Sequence, residues 1–128
     1  MAAKSDFLEA NLLNHVLRNT AYSSPAAVYL AAFTVAPTDA GGGTEVSGGS
    51  YVRQTLSFGA PVGNQVSNDA EILFPIATAD WGTLVHWGIF DAAAAGNLLY
   101  HTAFTADRLI LTGDQLRVTV GQLIVGED

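Results

Sequence analysis

Residues 84–90 (LVHWGIF) and 98–105 (LLYHTAFT), separated by Asp91, four alanines, Gly96 and Asn97, decide how this chain folds. The first run is apolar on both faces and too short for an ordinary helix, so it suits a strand covered on both sides. The second run returns after an alanine- and glycine-containing turn, and the two together predict a β-hairpin with a loop longer than the tightest types. Further short strands are predicted on either side. Residues 28–35 (VYLAAFTV) are rich in β-formers and end at Pro37, Thr38 and Asp39. Residues 51–58 alternate, with Val52, Gln54, Leu56 and Phe58 on one face and Tyr51, Arg53, Thr55 and Ser57 on the other. Residues 72–74 stop at Pro75, and runs at 109–111, 116–120 and 123–125 complete the set, with a turn at Gly113 and Asp114. Strands do not alternate with helices, which excludes a doubly wound fold. The expectation is an all-β fold: a compact β-sandwich or small barrel of about eight short strands.

One helix is predicted, over residues 5–19. Leu8, Leu12, Leu13, Val16 and Leu17 recur at helical spacing and form an amphipathic stripe. Ser5 suits the N-cap, Asp6 and Glu9 the positive end of the helix dipole, and Arg18 the negative end. A helix of this length is marginal alone, so its stripe must dock, on its own domain or on a neighbouring subunit.

With 128 residues, the chain is expected to form one domain, residues 1–128, with the sandwich over 28–125. Only 13% of residues are charged, about half the usual share of roughly 25%. So few charges leave fewer solvated faces than a free monomer needs and point to a homo-oligomer or a large partner surface. The net charge of -7 and the scattered cations Lys4, Arg18, Arg53, Arg108 and Arg117 exclude nucleic acid as a partner. They also argue against an anionic membrane, and no apolar run reaches the length of about 18 residues that spans a bilayer. The chain has no cysteine, which removes disulfides and thiolate chemistry. No apolar core follows Lys4, so no secretion leader is expected.

Residues 37–50 are a glycine-rich loop, with Gly41, Gly42, Gly43, Gly48 and Gly49 falling within nine positions. Ordering glycine costs more conformational entropy than any other residue, so such a segment needs a purpose. A phosphate cradle needs a lysine and a Gly-Lys-Ser/Thr ending, and both are missing, while Asp39 and Glu45 repel phosphate. Two carboxylates are few for calcium. The reading left is a turn, or an arm that is mobile in the free protein and orders on a neighbouring subunit.

Other constellations are weak. His86 and His101 lie in the two arms of the hairpin, so one register sets them opposite each other, with Asp91 near enough for a zinc site. The neighbouring register sets Trp87 opposite His101 and removes it. No serine lies in a Gly-x-Ser-x-Gly elbow. Asp80 and Asp91 can be drawn as a carboxylate pair, but so can any two acids on different strands. Trp81, Trp87, Tyr100 and Tyr51 suit a sugar-stacking platform, although core packing is the commoner role of strand aromatics. No cofactor, metal or catalytic residue is assigned, and an enzyme is not expected.

Three segments carry a family resemblance: PAAVYLAAFT at 25–34, GGGTEVSGGSYVRQ at 41–54 and ADWGTLVHWGIFD at 79–91. They resemble a family of small tailed-bacteriophage virion proteins, often labelled tail fibre proteins, over nearly the whole length. The resemblance implies a structural protein synthesised in the bacterial cytoplasm and carried in the virion, and it implies no catalytic residues. A fibre that reaches a receptor needs a repeat or coiled-coil shaft, which is lacking here. The favoured expectation is therefore a capsid decoration, or cement, protein that contacts the major capsid protein. The alternative is a tail fibre or tail-tip component, including a glycan-binding adhesion module. The candidate interface comprises Gly42, Glu45, Val46, Ser47, Tyr51 and Arg53 at the glycine loop, with Leu12 and Val16 on the helix. In that reading Arg53 pairs with an acid of the partner.

Overall fold

The computed structural model describes residues 2–127. The described residues form an all-β sandwich with one helix near the N-terminus, between the first and second strands. Its strands are β1 (Ala3–Lys4), β2 (Val28–Val35), β3 (Thr44–Glu45), β4 (Gln54–Leu56), β5 (Gln65–Ser67), β6 (Ile72–Leu73), β7 (Gly82–Phe90), β8 (Leu98–Ile110), β9 (Arg117–Val118) and β10 (Ile124–Gly126). The main sheet runs β1-β8-β7-β2-β3, and β4 also pairs with β2. Two antiparallel ribbons, β5 with β10 and β6 with β9, form the second layer.

The predicted hairpin is the centre of the sheet. β7 lies between β2 and β8, which is why its sequence is apolar on both faces. Asp91 closes the loop: its carboxylate accepts from the Asn97 backbone N–H at 2.7 Å and from Asn97 Nδ2 at 3.0 Å. β8 is longer than expected and runs through the predicted break between 105 and 109. A register shift opposite Leu84 and His86 takes up the extra residues, which is how Asp107 and Arg108 fit into a strand.

One face of the sheet carries Leu30, Ala32, Trp87 and Ile89 into the main core, where they meet Trp81 from just before β7 and Phe74, Leu116 and Val125 from the second layer. The opposite face carries Ala31, Phe33, His86, Gly88 and His101, as the pairings Ala31↔Gly88, Phe33↔His86 and Gly88↔His101 require.

Several boundaries differ from the sequence reading. Of the strand predicted at 51–58 only Gln54–Leu56 forms; before it, Val52 is exposed while Tyr51 and Arg53 turn inward. The short strands β1, β3 and β5 carry no alternation long enough to be seen in sequence.

Helix α1 (Asp6–Leu17) has Ser5 as its N-cap, accepting from the Leu8 N–H at 3.2 Å. Its start is pinned: the Ser5 N–H donates to Leu99 O at 2.9 Å and the Asp6 N–H to Asp39 O at 2.8 Å. The expected stripe does not dock as a whole. Leu8 is buried and Leu12 packs partly on the core, but Leu13, Val16 and Leu17 are 58%, 71% and 73% exposed.

Candidate functional site

The glycine loop is fastened to its own domain at both ends. At its downstream end, β3 pairs with β2, and Val46 is buried, with its N–H on Ala32 O at 3.0 Å. β3 and β4 occupy the same edge of β2 but leave a gap between them at Ala32. The Tyr51 hydroxyl fills it, accepting from the Ala32 N–H at 3.0 Å and donating to Glu45 Oε2 at 2.6 Å. Burial first, and then the bond to Glu45, push the Tyr51 phenol well above its ordinary range, so it stays a donor.

Arg53 completes this node. Its guanidinium grips Glu45 bidentately, Nε to Oε2 at 2.9 Å and Nη2 to Oε1 at 2.8 Å. Nη1 donates to the carbonyls of Ala92 at 2.9 Å and Ala95 at 2.7 Å, so the hairpin loop is held as well. The plane lies 3.8 Å from the Phe90 ring centroid. The Arg53 side chain is 8% exposed, and its acidic partner lies within the same chain.

Two glycines explain themselves here. Gly43 has φ +73°, and a Cβ there would lie 2.6 Å from Val35 O and 2.7 Å from Pro37 N. Gly49 has φ +58°, and a Cβ would meet Trp81 Nε1 at 2.9 Å. That indole N–H donates to Gly49 O at 2.9 Å. Both positions need the left-handed backbone and the missing side chain.

At the upstream end, Asp39 Oδ1 bonds His101 Nε2 at 2.8 Å, and His101 Nδ1 bonds His86 Nε2 at 3.0 Å. Neither register weighed from sequence is the one found: His86 faces Ala103, and Gly88 faces His101. The histidines meet on the diagonal. Both residues that frame this diagonal are small, and the gap they leave lets two imidazoles reach each other. The acid beside them is Asp39, not Asp91. Among the described residues, no group of three or more His, Asp or Glu side chains is placed to hold a metal.

The remaining candidates are spread apart. Asp80 accepts from the Thr112 N–H at 2.8 Å and from its hydroxyl at 3.0 Å, so it and Asp91 each serve a separate loop. Trp81 and Trp87 are both 6% exposed, Tyr51 stacks on Phe74, and a sugar platform on these rings is ruled out by their place in the core. Gly42 and Ser47 are exposed at the loop surface, whereas Val46 is buried. An apolar cleft of about 440 Å³ lies between the β5–β10 ribbon and the main sheet, lined by Val28, Phe58, Val66, Ile89 and Val125. Glu127 at its rim already accepts from Lys4 and Tyr100.

A domain whose polar clusters fasten its own loops suits a structural component. Residues 3–126 match the family described as podophage GP4 fiber I protein gp80. The chain belongs to this family. No curated protein matches the sequence. Membership in the gp80 fibre family makes the chain a structural protein of a phage virion, associated with other virion components. The family's fibre description favours the tail-fibre alternative over capsid decoration, for which there is no corresponding support. No helix among the described residues is long and apolar enough to cross a membrane.

Proposed function

We propose that this chain is a non-enzymatic component of the phage fibre apparatus, attached to a neighbouring fibre chain through helix α1. The observation that carries the reading is the match to a fibre family from residue 3 to residue 126. The helix supplies the means of attachment. Leu13, Val16 and Leu17 project from a base pinned by Ser5 and Leu8, so an apolar stripe is held rigidly outside the core. Exposed contiguous apolar faces of this kind mark interaction sites. The low charged fraction agrees with a chain that buries part of its surface in an assembly.

The glycine loop, by contrast, makes its main contacts within the chain. Its exposed residues, Gly42 and Ser47 among them, are open to a neighbour.

Immunogold labelling of intact particles separates the two locations. Label at the tail supports the fibre reading, and label spread over the shell instead supports a decoration protein on the major capsid protein. The attachment face is tested by Val16→Asp with Leu17→Asp. Such exposed changes shift stability by about 0.5 kcal/mol or less. Particles are expected to lose the mutant protein while it remains folded by circular dichroism. Normal occupancy would exclude α1 as the attachment face. Self-association of the wild type that the same changes abolish would identify a second copy as the occupant.

A further inference from the structure

We propose that the apolar cleft between the β5–β10 ribbon and the main sheet is a socket for the α1 ridge of a second copy of this chain, in a two-fold pair that exchanges ridges. This rests on the reading of α1 as the attachment face and names what covers it. The ridge is Leu13, Val16 and Leu17, with Leu12 at its base. The socket, about 440 Å³, is walled by Val28, Phe58, Val66, Ile89 and Val125. Its size lies in the range of about 300–1,000 Å³ at which clefts engulf a bound group.

Ridge and socket lie side by side on one face. Lys4 forms a groove with Glu9 and the apolar residues along the flank of α1. Its ammonium reaches across to Glu127 Oε2 at 2.7 Å, and Glu127 stands at the edge of the socket. The Glu127 N–H in turn donates to Asn64 O at 2.8 Å, which ties the turn around Val62 to the same point. Pro61 and Gly63, on either side of Val62, line the socket. Among the described residues, the three most exposed large hydrophobic side chains are Val62, at 84%, Leu17 and Val16. Val62 sits at the lip of the socket and the other two on the ridge. Single exposed apolar residues are ordinary, whereas this concentration marks an interaction site.

Shape and charge both point to a second copy as the occupant. A raised feature and a hollow of the same apolar character on one face make that face self-complementary. A two-fold axis passing between them lays each ridge over the other copy's socket and covers both at once. A partner offering only a groove would leave the socket open, and one offering only a ridge would leave α1 uncovered. The net charge of -7 opposes self-association over most of the surface. This face is an exception, because among the described residues Lys4 and Arg18 balance Glu9 and Glu127 around ridge and socket. The axis passes close to the neutral Lys4–Glu127 pair, so two copies meet there without net repulsion.

Sedimentation equilibrium of the purified protein is the test, with the fold of each variant checked by circular dichroism. The wild type is expected to form dimers. Val16→Asp with Leu17→Asp removes the ridge, and Val66→Asp sets a carboxylate in the socket wall; each variant is expected to sediment as a monomer. Val62→Asp, at the exposed lip, replaces Val66→Asp if that protein does not fold. Mixing the ridge variant with the socket variant is expected to restore association, because the mixed pair holds one intact ridge opposite one intact socket and neither variant alone does. A wild type that stays monomeric up to its solubility limit would overturn the exchange, as would a mixture that does not associate. A socket variant that still dimerises would show ridge packed on ridge and overturn it as well. The reading of α1 as the attachment face fails separately: it falls if particles take up the ridge variant at normal occupancy. It stands, with a different chain as occupant, if the wild type is monomeric and particles lose the ridge variant.

Discussion

The two ends of the glycine loop are tied down by different chemistry. Downstream, Glu45, Tyr51 and Arg53 join β3, the edge of β2 and the hairpin loop through bonds of 2.6–3.0 Å. Glutamate, tyrosine and arginine side chains have ordinary pKa values outside the range from pH 5 to 8. Upstream, the loop is tied through two imidazoles, the side chain whose ordinary pKa falls inside that range. The same segment is thus fixed at one end and conditional at the other. Glycine richness alone does not imply a detached arm, because Gly43 and Gly49 allow close approach to the protein's own backbone and to Trp81.

Five substitutions sharpen or break this contrast. The largest effect is expected for Arg53→Ala, which strands Glu45 and removes the donor to Ala92 and Ala95; breaking a buried pair of this kind costs about 3–5 kcal/mol. Urea denaturation measures it, and a loss below about 1 kcal/mol would mean that the downstream lock is a surface pair of ordinary strength. Tyr51→Phe comes next. It leaves the Ala32 N–H without its acceptor in the gap between β3 and β4, at a cost of about 1–3 kcal/mol.

Gly42→Ala is expected to cost about 1–2 kcal/mol. The φ of +77° penalises any Cβ, but nothing lies within 4 Å to collide with it. Gly43→Ala, with backbone atoms at 2.6–2.9 Å, should cost visibly more; equal costs would show that the loop is not pressed against β2 as described. His86→Gln is expected to have the smallest effect at pH 7.5, under about 0.5 kcal/mol, while flattening the dependence of stability on pH below 6.5. A melting temperature that still falls with acid to the same extent would remove the contrast.

Much of the fold was legible because the strongest signals were local. The doubly apolar run at 84–90 could only be a central strand, and Ser5 followed by the stripe from Leu8 fixed the helix start. The misreadings share a cause, which is that side chains were assigned to faces by alternation alone. At 51–58, alternation set Arg53 on a face with Tyr51, Thr55 and Ser57, and its acid was sought on a partner. Its burial depends on Glu45, two main-chain carbonyls and the Phe90 ring meeting at one point, a tertiary fact. At 106–108 the charged pair looked like a strand break, whereas the register shift between β7 and β8 absorbs it.

The histidine contact was half visible. The hairpin brought the two strands together, but the same register shift decides which residues face each other. The small residues Gly88 and Ala103 were the available hint that a diagonal contact had room. Asp39 lies in a distant loop with no periodic pattern, so nothing local tied it to His101. The exposure of Leu13, Val16 and Leu17 was equally hidden, since a stripe looks the same in sequence whether its cover is its own domain or another chain.

The most direct measurement compares two amides of the wild-type protein across pH. Val46, bonded to Ala32 O, reports the downstream end, and Gly41, bonded to Thr38 O, the upstream end. Between pH 7.5 and pH 5.0 the Gly41 protection factor is predicted to change, with that of Val46 unchanged. Equal behaviour of the two amides, whether both fall or both hold, would contradict a loop with one fixed and one conditional fastening.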